Sequence, residues 1–184
     1  MQRLNEVSNG EVAIAAAAGV ALAAWVWPVA GLLGSLAHGA LGWALILIIL
    51  TDYRAFRIPD QLSLPLIPLG LATTWWLLPD SLWNHVAAAT IGAASLLALN
   101  AIYRRLRGFD GLGMGDVKLT AAAGAWVGLE GLAYVVLLAS LAGIASLAIF
   151  RPSVAKDLDP RRARLAFGCY EGFALLATVL WQLQ

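Results

Sequence analysis

Long uninterrupted apolar stretches dominate this chain and leave few folds open to it. A helix that spans a bilayer needs about 20 mainly apolar residues. Seven segments come near that length: roughly 11–31, 35–51, 61–79, 82–102, 115–128, 130–150 and 165–183. Short polar or glycine-containing breaks separate them, and only 52–60, 103–114 and 151–164 are longer and charged. Of the 184 residues, 61% are hydrophobic and 12% charged, against about 25% charged in an ordinary soluble domain. In hydrocarbon every backbone polar group needs a partner inside the protein, and helices supply one. The sequence therefore predicts an all-α polytopic membrane helix bundle in contact with the lipid bilayer. It is read as one integral membrane domain over 1–184 with about seven membrane segments. The fifth is short, since about 14 residues of helix reach only about 21 Å against a hydrocarbon core of about 30 Å.

Orientation follows from the basic residues. With the N-terminus in the cytoplasm and seven alternating spans, the inside segments hold Arg3, Arg54, Arg57, Arg104, Arg105, Arg107, Lys118, Arg151, Lys156, Arg161, Arg162 and Arg164, which is all 12 Lys and Arg. The outside connections near 32–34, 80–81 and 129 hold none, a positive-inside pattern. Trp25, Trp27, Trp75, Trp76, Trp83, Trp126 and Trp181 fall near the outer ends and are read as an aromatic belt. The apolar stretch after Arg3, Glu6 and Glu11 exceeds the 7–15 residues of a typical signal-peptide core, so it is read as a retained helix. The localisation expected from these patterns is multi-pass in a membrane, with the N-terminus cytoplasmic.

Composition also sets aside several function classes. A net charge of +1 gives no basic excess for nucleic acid. The one cysteine, Cys169, allows no internal disulfide or multi-cysteine zinc site and is read as a small packing residue. His38 and His85 are isolated in sequence, without metal-ligand spacing. No cofactor or metal is expected, and oligomeric state is left open.

Two acids stand at the ends of apolar segments. Asp52 lies in Ile48-Ile49-Leu50-Thr51-Asp52-Tyr53-Arg54, and Asp116 in Gly113-Met114-Gly115-Asp116-Val117-Lys118-Leu119. A carboxylate beside hydrocarbon is costly, so each is a functional candidate. Taken singly, Asp52 can end a helix and pair with Arg54 or Arg57, and Asp116 can serve the positive end of a helix dipole. Together, at one depth, they can share a proton and activate a water. The glycines Gly113 and Gly115 let backbone approach closely, as a substrate peptide laid beside catalytic acids requires. The stretch Gly108–Gly115 is expected to be a mobile loop dipping toward the bilayer. Pro65 and Pro68 are expected to bend the third segment. Lys118 does not share a helix face with Asp116 and is read as a cytoplasmic anchor or substrate contact. Asp60 is read as a helix cap, and Asp110 and the 151–164 cluster as solvated charge. Glu171, inside the last segment, should face the bundle interior with a partner, either as a structural hydrogen bond or as a substrate or proton contact.

The stretch Gly113-Met114-Gly115-Asp116-Val117-Lys118-Leu119 resembles the GxGD-x-K-L signature of type IV prepilin peptidases, which are membrane aspartyl proteases. Upstream, Asp52-Tyr53-Arg54-Ala55-Phe56-Arg57-Ile58-Pro59-Asp60 is similar to that family's D-x6-P-N/D element. Gly124 and Gly128 continue the pattern, and the resemblance covers about 40–150. Ala166-Phe167-Gly168-Cys169-Tyr170 only partly resembles the family's P-F-G-P-F-like element, lacking both prolines.

The resemblance implies Asp52 and Asp116 as catalytic dyad; Gly113, Gly115, Lys118 and Glu171 are the substrate-binding candidates from their chemistry and position. The resemblance also implies an endopeptidase that cuts the basic leader from type IV prepilins or pilin-like precursors at the cytoplasmic face, usually after a glycine. Larger family members also methylate the new N-terminus and carry an insertion with paired cysteines. With one cysteine, this chain is expected to be a peptidase-only form, suited to a tight-adherence pilus or a compact type IV or type II secretion system. The alternatives are a small proton-coupled membrane transporter using the intramembrane acids and a non-catalytic membrane assembly subunit.

Overall fold

The computed structural model describes residues 8–154 and 166–183. Among them are five α-helices and no strand: α1 (Asn9–Ala55), α2 (Asp60–Leu77), α3 (Leu82–Arg107), α4 (Met114–Val154) and α5 (Phe167–Gln182). A single 3-10 turn, Pro79–Ser81, joins α2 to α3. Three stretches, Asn9–Ala55, Pro79–Arg107 and Met114–Ile149, are long and apolar enough to cross a membrane. Arg3, Glu6 and the charged connection over 155–165 lie outside the described residues.

Two of these helices are folded back on themselves. Straight, the 47 residues of α1 would reach about 70 Å, more than twice a hydrocarbon core. Gly31 breaks it with φ 63° and ψ −165°, a conformation open to a residue without Cβ. Pro28, three residues earlier, has already removed one backbone donor. The two limbs then pack side by side through small residues. A Cβ on Gly19 would meet the carbonyl of Gly39 at 2.7 Å, and one on Gly42 would meet Leu22 at 3.0 Å, so the glycines permit close backbone approach. A capping box between Ser8 and Glu11 starts the first limb. Glu11 also takes Arg54 from the end of the second limb, at 2.6 Å, which closes the hairpin. Arg54 is therefore not the partner of Asp52.

Gly128 breaks α4 in the same way (φ 69°, ψ −174°). The freed backbone groups find side chains. Asn84 accepts from Leu129 N–H at 3.0 Å, His85 Nδ1 donates to Ala125 O at 3.0 Å, and Gln182 donates to Val127 O at 3.1 Å. The break is tolerated because protein groups satisfy the backbone it frees. The short limb before it packs on α3, α2 and α5, and the core forms where Leu45 and Ile48 of α1, Leu66 of α2, Leu119 and Ala122 of α4 and Leu175 of α5 meet.

Two expectations are corrected here. Trp126 is not part of an aromatic belt; it is buried, donates from Nε1 to Leu66 O at 2.9 Å and stands edge-on to His38. Its six companions are exposed. Asp60 is not a cap: Pro59 takes the N-cap position of α2, and Asp60 sits in the first turn, its carboxylate bound to Lys118 Nζ at 2.7 Å. Pro65 and Pro68 both lie inside a continuous α2.

Candidate active site

The two acids come together from different helices. Asp52 lies in the last turn of α1, four residues before the left-handed Phe56 (φ 50°) that ends it. It is 5% exposed, and its Oδ2 accepts the backbone N–H of Cys169 at 3.1 Å. Cys169 is the third residue of α5, where a cap acceptor is normally found. The N-cap residue Ala166 makes no side-chain cap bond, so Asp52 caps α5 from another helix, at the positive end of its dipole. The backbone of Gly168 closes on the same oxygen: a Cβ there would stand 2.9 Å from Asp52 Oδ2.

Asp116 is the third residue of α4, in its first turn, and is half-buried. A Cβ on Gly113 would lie 3.0 Å from its Oδ2. Ile58 wedges between the two glycine elements, since a Cβ on Gly115 would come within 2.8 Å of its Cβ and one on Gly168 within 2.6 Å of its Cδ1. Asp52 and Asp116 are near enough for their charges to interact.

Other candidates fall around this pair. Gly113 is exposed and Gly115 half-buried on the approach to Asp116. Lys118 is turned to Asp60 on α2. Glu171 is 1% exposed on α5 and accepts from Thr120 Oγ1 at 2.5 Å, while its Oε2 has no partner among the described residues. It also lies within charge range of both aspartates. Cys169 packs as expected, and its thiol meets Ile49 O at 3.2 Å. Its backbone contact to Asp52 had no side-chain signal in the sequence.

Asn100 was missed. Its Oδ1 accepts from Gly111 and Leu112 N–H at 3.0 and 3.1 Å, and its Nδ2 donates to Asp110 at 3.2 Å. The glycine-rich loop is thus tied to α3, and Asp110, exposed as expected, also accepts from Asn100. A lone Asn in the apolar run before Tyr103 was the available clue. Among the described residues no cluster of His, Cys, Asp and Glu is arranged to hold a metal ion.

The family model described as the type IV leader peptidase family matches residues 39–148. That segment holds Asp52, the glycine loop and Asp116. The chain belongs to the type IV leader peptidase family. Among its relatives is a protein of Burkholderia pseudomallei named prepilin leader peptidase/N-methyltransferase, 41% identical over 111 residues, which are 60% of this chain and 36% of the relative. Proteins of the same name from Xanthomonas campestris pv. campestris and Aeromonas salmonicida are 38% and 35% identical over 136 and 149 residues, covering 71% and 80% of this chain and 44% and 50% of theirs. The chain thus matches half or less of the length of these curated relatives. No solved structure matches it. Membership in a leader peptidase family does not favour the transporter reading.

Proposed function

We propose that this chain is a membrane aspartyl endopeptidase that removes the basic leader from type IV prepilins or pilin-like precursors, with Asp52 and Asp116 as its catalytic pair. The observation that supports the reading is that α1 and α4 bring the two acids to the same side of the bundle, around Ile58, Gly115 and Gly168, inside or beside the family-matched segment. One acid, protonated, polarises the scissile carbonyl. The other, ionised, takes a proton from the attacking water. The apolar part of the substrate stands in the bilayer as a helix, and its leader junction lies extended against Gly113 and Gly115, where no side chain intervenes. Lys118 is engaged by Asp60 and serves first as an anchor of the α4 start.

We place the acid end at the cytoplasmic face of a bacterial inner membrane, with seven spans, the breaks at Gly31 and Gly128 serving as outer turns. The basic residues of the sequence support this. The stretch shared with the relatives corresponds to the peptidase activity in their name, and cleavage without methylation is the activity assigned to these 184 residues.

The test is cleavage of a pilin precursor in vitro by the purified chain. Asp52→Asn and Asp116→Asn each abolish cleavage, a loss of at least about 1,000-fold for a residue of this kind, with membrane insertion and protein level unchanged. Retained cleavage by either variant rejects the pair.

A further inference from the structure

We propose that α5 sets the approach of the two aspartates, with Glu171 as the positioning residue that fixes it to the helix carrying Asp116. The proposal rests on the reading of Asp52 and Asp116 as the catalytic pair. It concerns a part of the chain beyond the family-matched segment, which ends at residue 148.

Four observations carry it. First, α5 holds both sides of the site. Its Cys169 N–H binds Asp52 of α1, and its Glu171, two residues on, accepts from Thr120 of α4. Thr120 is four residues after Asp116 and so lies one turn along the same face. Two hydrogen bonds therefore link Asp52 through α5 to Thr120, one helical turn from Asp116.

Second, Thr120 shares only with Thr74, which turns to Ala125 O and His85, a departure from the habit of the other threonines among the described residues. Thr51, Thr73, Thr90 and Thr178 each donate to the carbonyl four residues back on their own helix. Thr120 gives its hydroxyl to another helix instead. Third, a leucine would fill the place of Glu171 at lower cost, because a buried acid must be compensated. The carboxyl contributes the bond across the helices, which a leucine lacks. Fourth, α5 packs closely through glycines on α1 and on the connection after it. A Cβ on Gly168 would strike Ile58 at 2.6 Å, and one on Gly172 would strike Ile49 at 2.8 Å. The helix is seated on one side by glycine contacts and on the other by Glu171.

The test uses the full chain in detergent or lipid, with two readouts. In leader cleavage, Glu171→Leu and the shape-conserving Thr120→Val each lower kcat by about 100-fold, the scale of a misplacement of about 1 Å, with KM little changed. Glu171→Gln, which keeps a carbonyl acceptor for Thr120, restores most of that loss, and so does Thr120→Ser. The double variant Glu171→Leu/Thr120→Val is no slower than either single one, because both remove the same bond. The second readout needs no proteolysis. Tyr53→Cys and Met114→Cys, at exposed positions beside the two acids, are combined on Cys169→Ala, which leaves Asp52, Asp116 and the backbone N–H in place, and the pair is joined with a short bismaleimide. Adding Glu171→Leu slows that cross-link; adding Glu171→Gln does not. Cross-linking indifferent to Glu171→Leu overturns the proposal, as does a Glu171→Gln variant as slow as Glu171→Leu, which would assign the residue a charge or proton role. If Asp52→Asn or Asp116→Asn still cleaves, the dyad reading fails while the cross-linking comparison continues to report on α5.

Discussion

Gly168 is where packing and chemistry press hardest on one atom. An alanine Cβ there would reach Ile58 Cδ1 at 2.6 Å and Asp52 Oδ2 at 2.9 Å. The first neighbour is the end of a flexible side chain and can turn away. The second is the acid itself, held by the N–H of the next residue. Gly168→Ala therefore displaces Asp52. Overpacking of this kind costs about 1–3 kcal/mol, visible as a lower melting temperature, and cleavage falls further than folding because the carboxyl moves. Adding Ile58→Val, which deletes the crowding methyl, recovers melting temperature but not rate. Equal recovery of both would show that Asp52 is not displaced. At this scale the sequence disclosed the acids and not their supports. Asp52 and Asp116 stood out because a carboxylate amid apolar residues is rare. The Cys169 N–H belongs to the backbone, which carries no mark of its own. Asn100 was passed over because a single amide before a charged helix end looks ordinary, yet it orders the loop that leads to Asp116.

At the level of helices, Gly124 decides how near α3 and α4 can stand. A Cβ on it would lie 2.5–2.7 Å from Ala88 C, Ala88 O and Ala89 N, all backbone. None can rotate aside, so Gly124→Ala separates the helices. The expected loss is about 1–3 kcal/mol, read from thermal melting, while Gly108→Ala, in open space but at φ 80°, leaves the α3–α4 seam intact. Close approach through small residues is what holds helices together where solvent gives no hydrophobic drive. The helices themselves were legible: the segments at 61–79 and 82–102 correspond to α2 and α3, and the breaks expected near 32–34 and 129 lie at Gly31 and Gly128. α3 extends to Arg107 because its last turn leaves the apolar zone without losing helical propensity, and the left-handed Gly108 stops it. Trp126 was misread because depth alone does not tell a belt residue from a core one. Its indole donates to Leu66 O beside Gly70, whose missing side chain makes the space. Asp60 was misread because Asp favours caps, but Pro59 occupies that position, and the first turn still suits a carboxylate.

Across the whole bundle the two ends differ in kind. One end carries Asp52, Asp116, the Glu11–Arg54 and Asp60–Lys118 pairs and the loop tied to Asn100. Every Lys and Arg whose side chain is described belongs to it: Arg54, Arg57, Arg104, Arg105, Arg107 and Lys118. The other end carries the turn at Pro79–Ser81, the breaks at Gly31 and Gly128, and the exposed Trp25, Trp27, Trp75, Trp76, Trp83 and Trp181. It also holds a cavity of about 320 Å³ lined by His38, Thr74, His85, Trp126 and Gln182. A basic end is retained on the cytoplasmic side during insertion, and indole rings settle at the interface. The orientation proposed above would put the acids where the basic leader of a precursor emerges. On a Cys169→Ala background, a cysteine introduced at Asp80 should react with an impermeant maleimide in intact cells, and one introduced at Arg105 only after the inner membrane is opened. The reverse pattern would put the acid pair on the periplasmic face, out of reach of a cytoplasmic leader. Leader cleavage there would then require the precursor junction to cross first, and the substrate geometry proposed above would fail even with both aspartates intact.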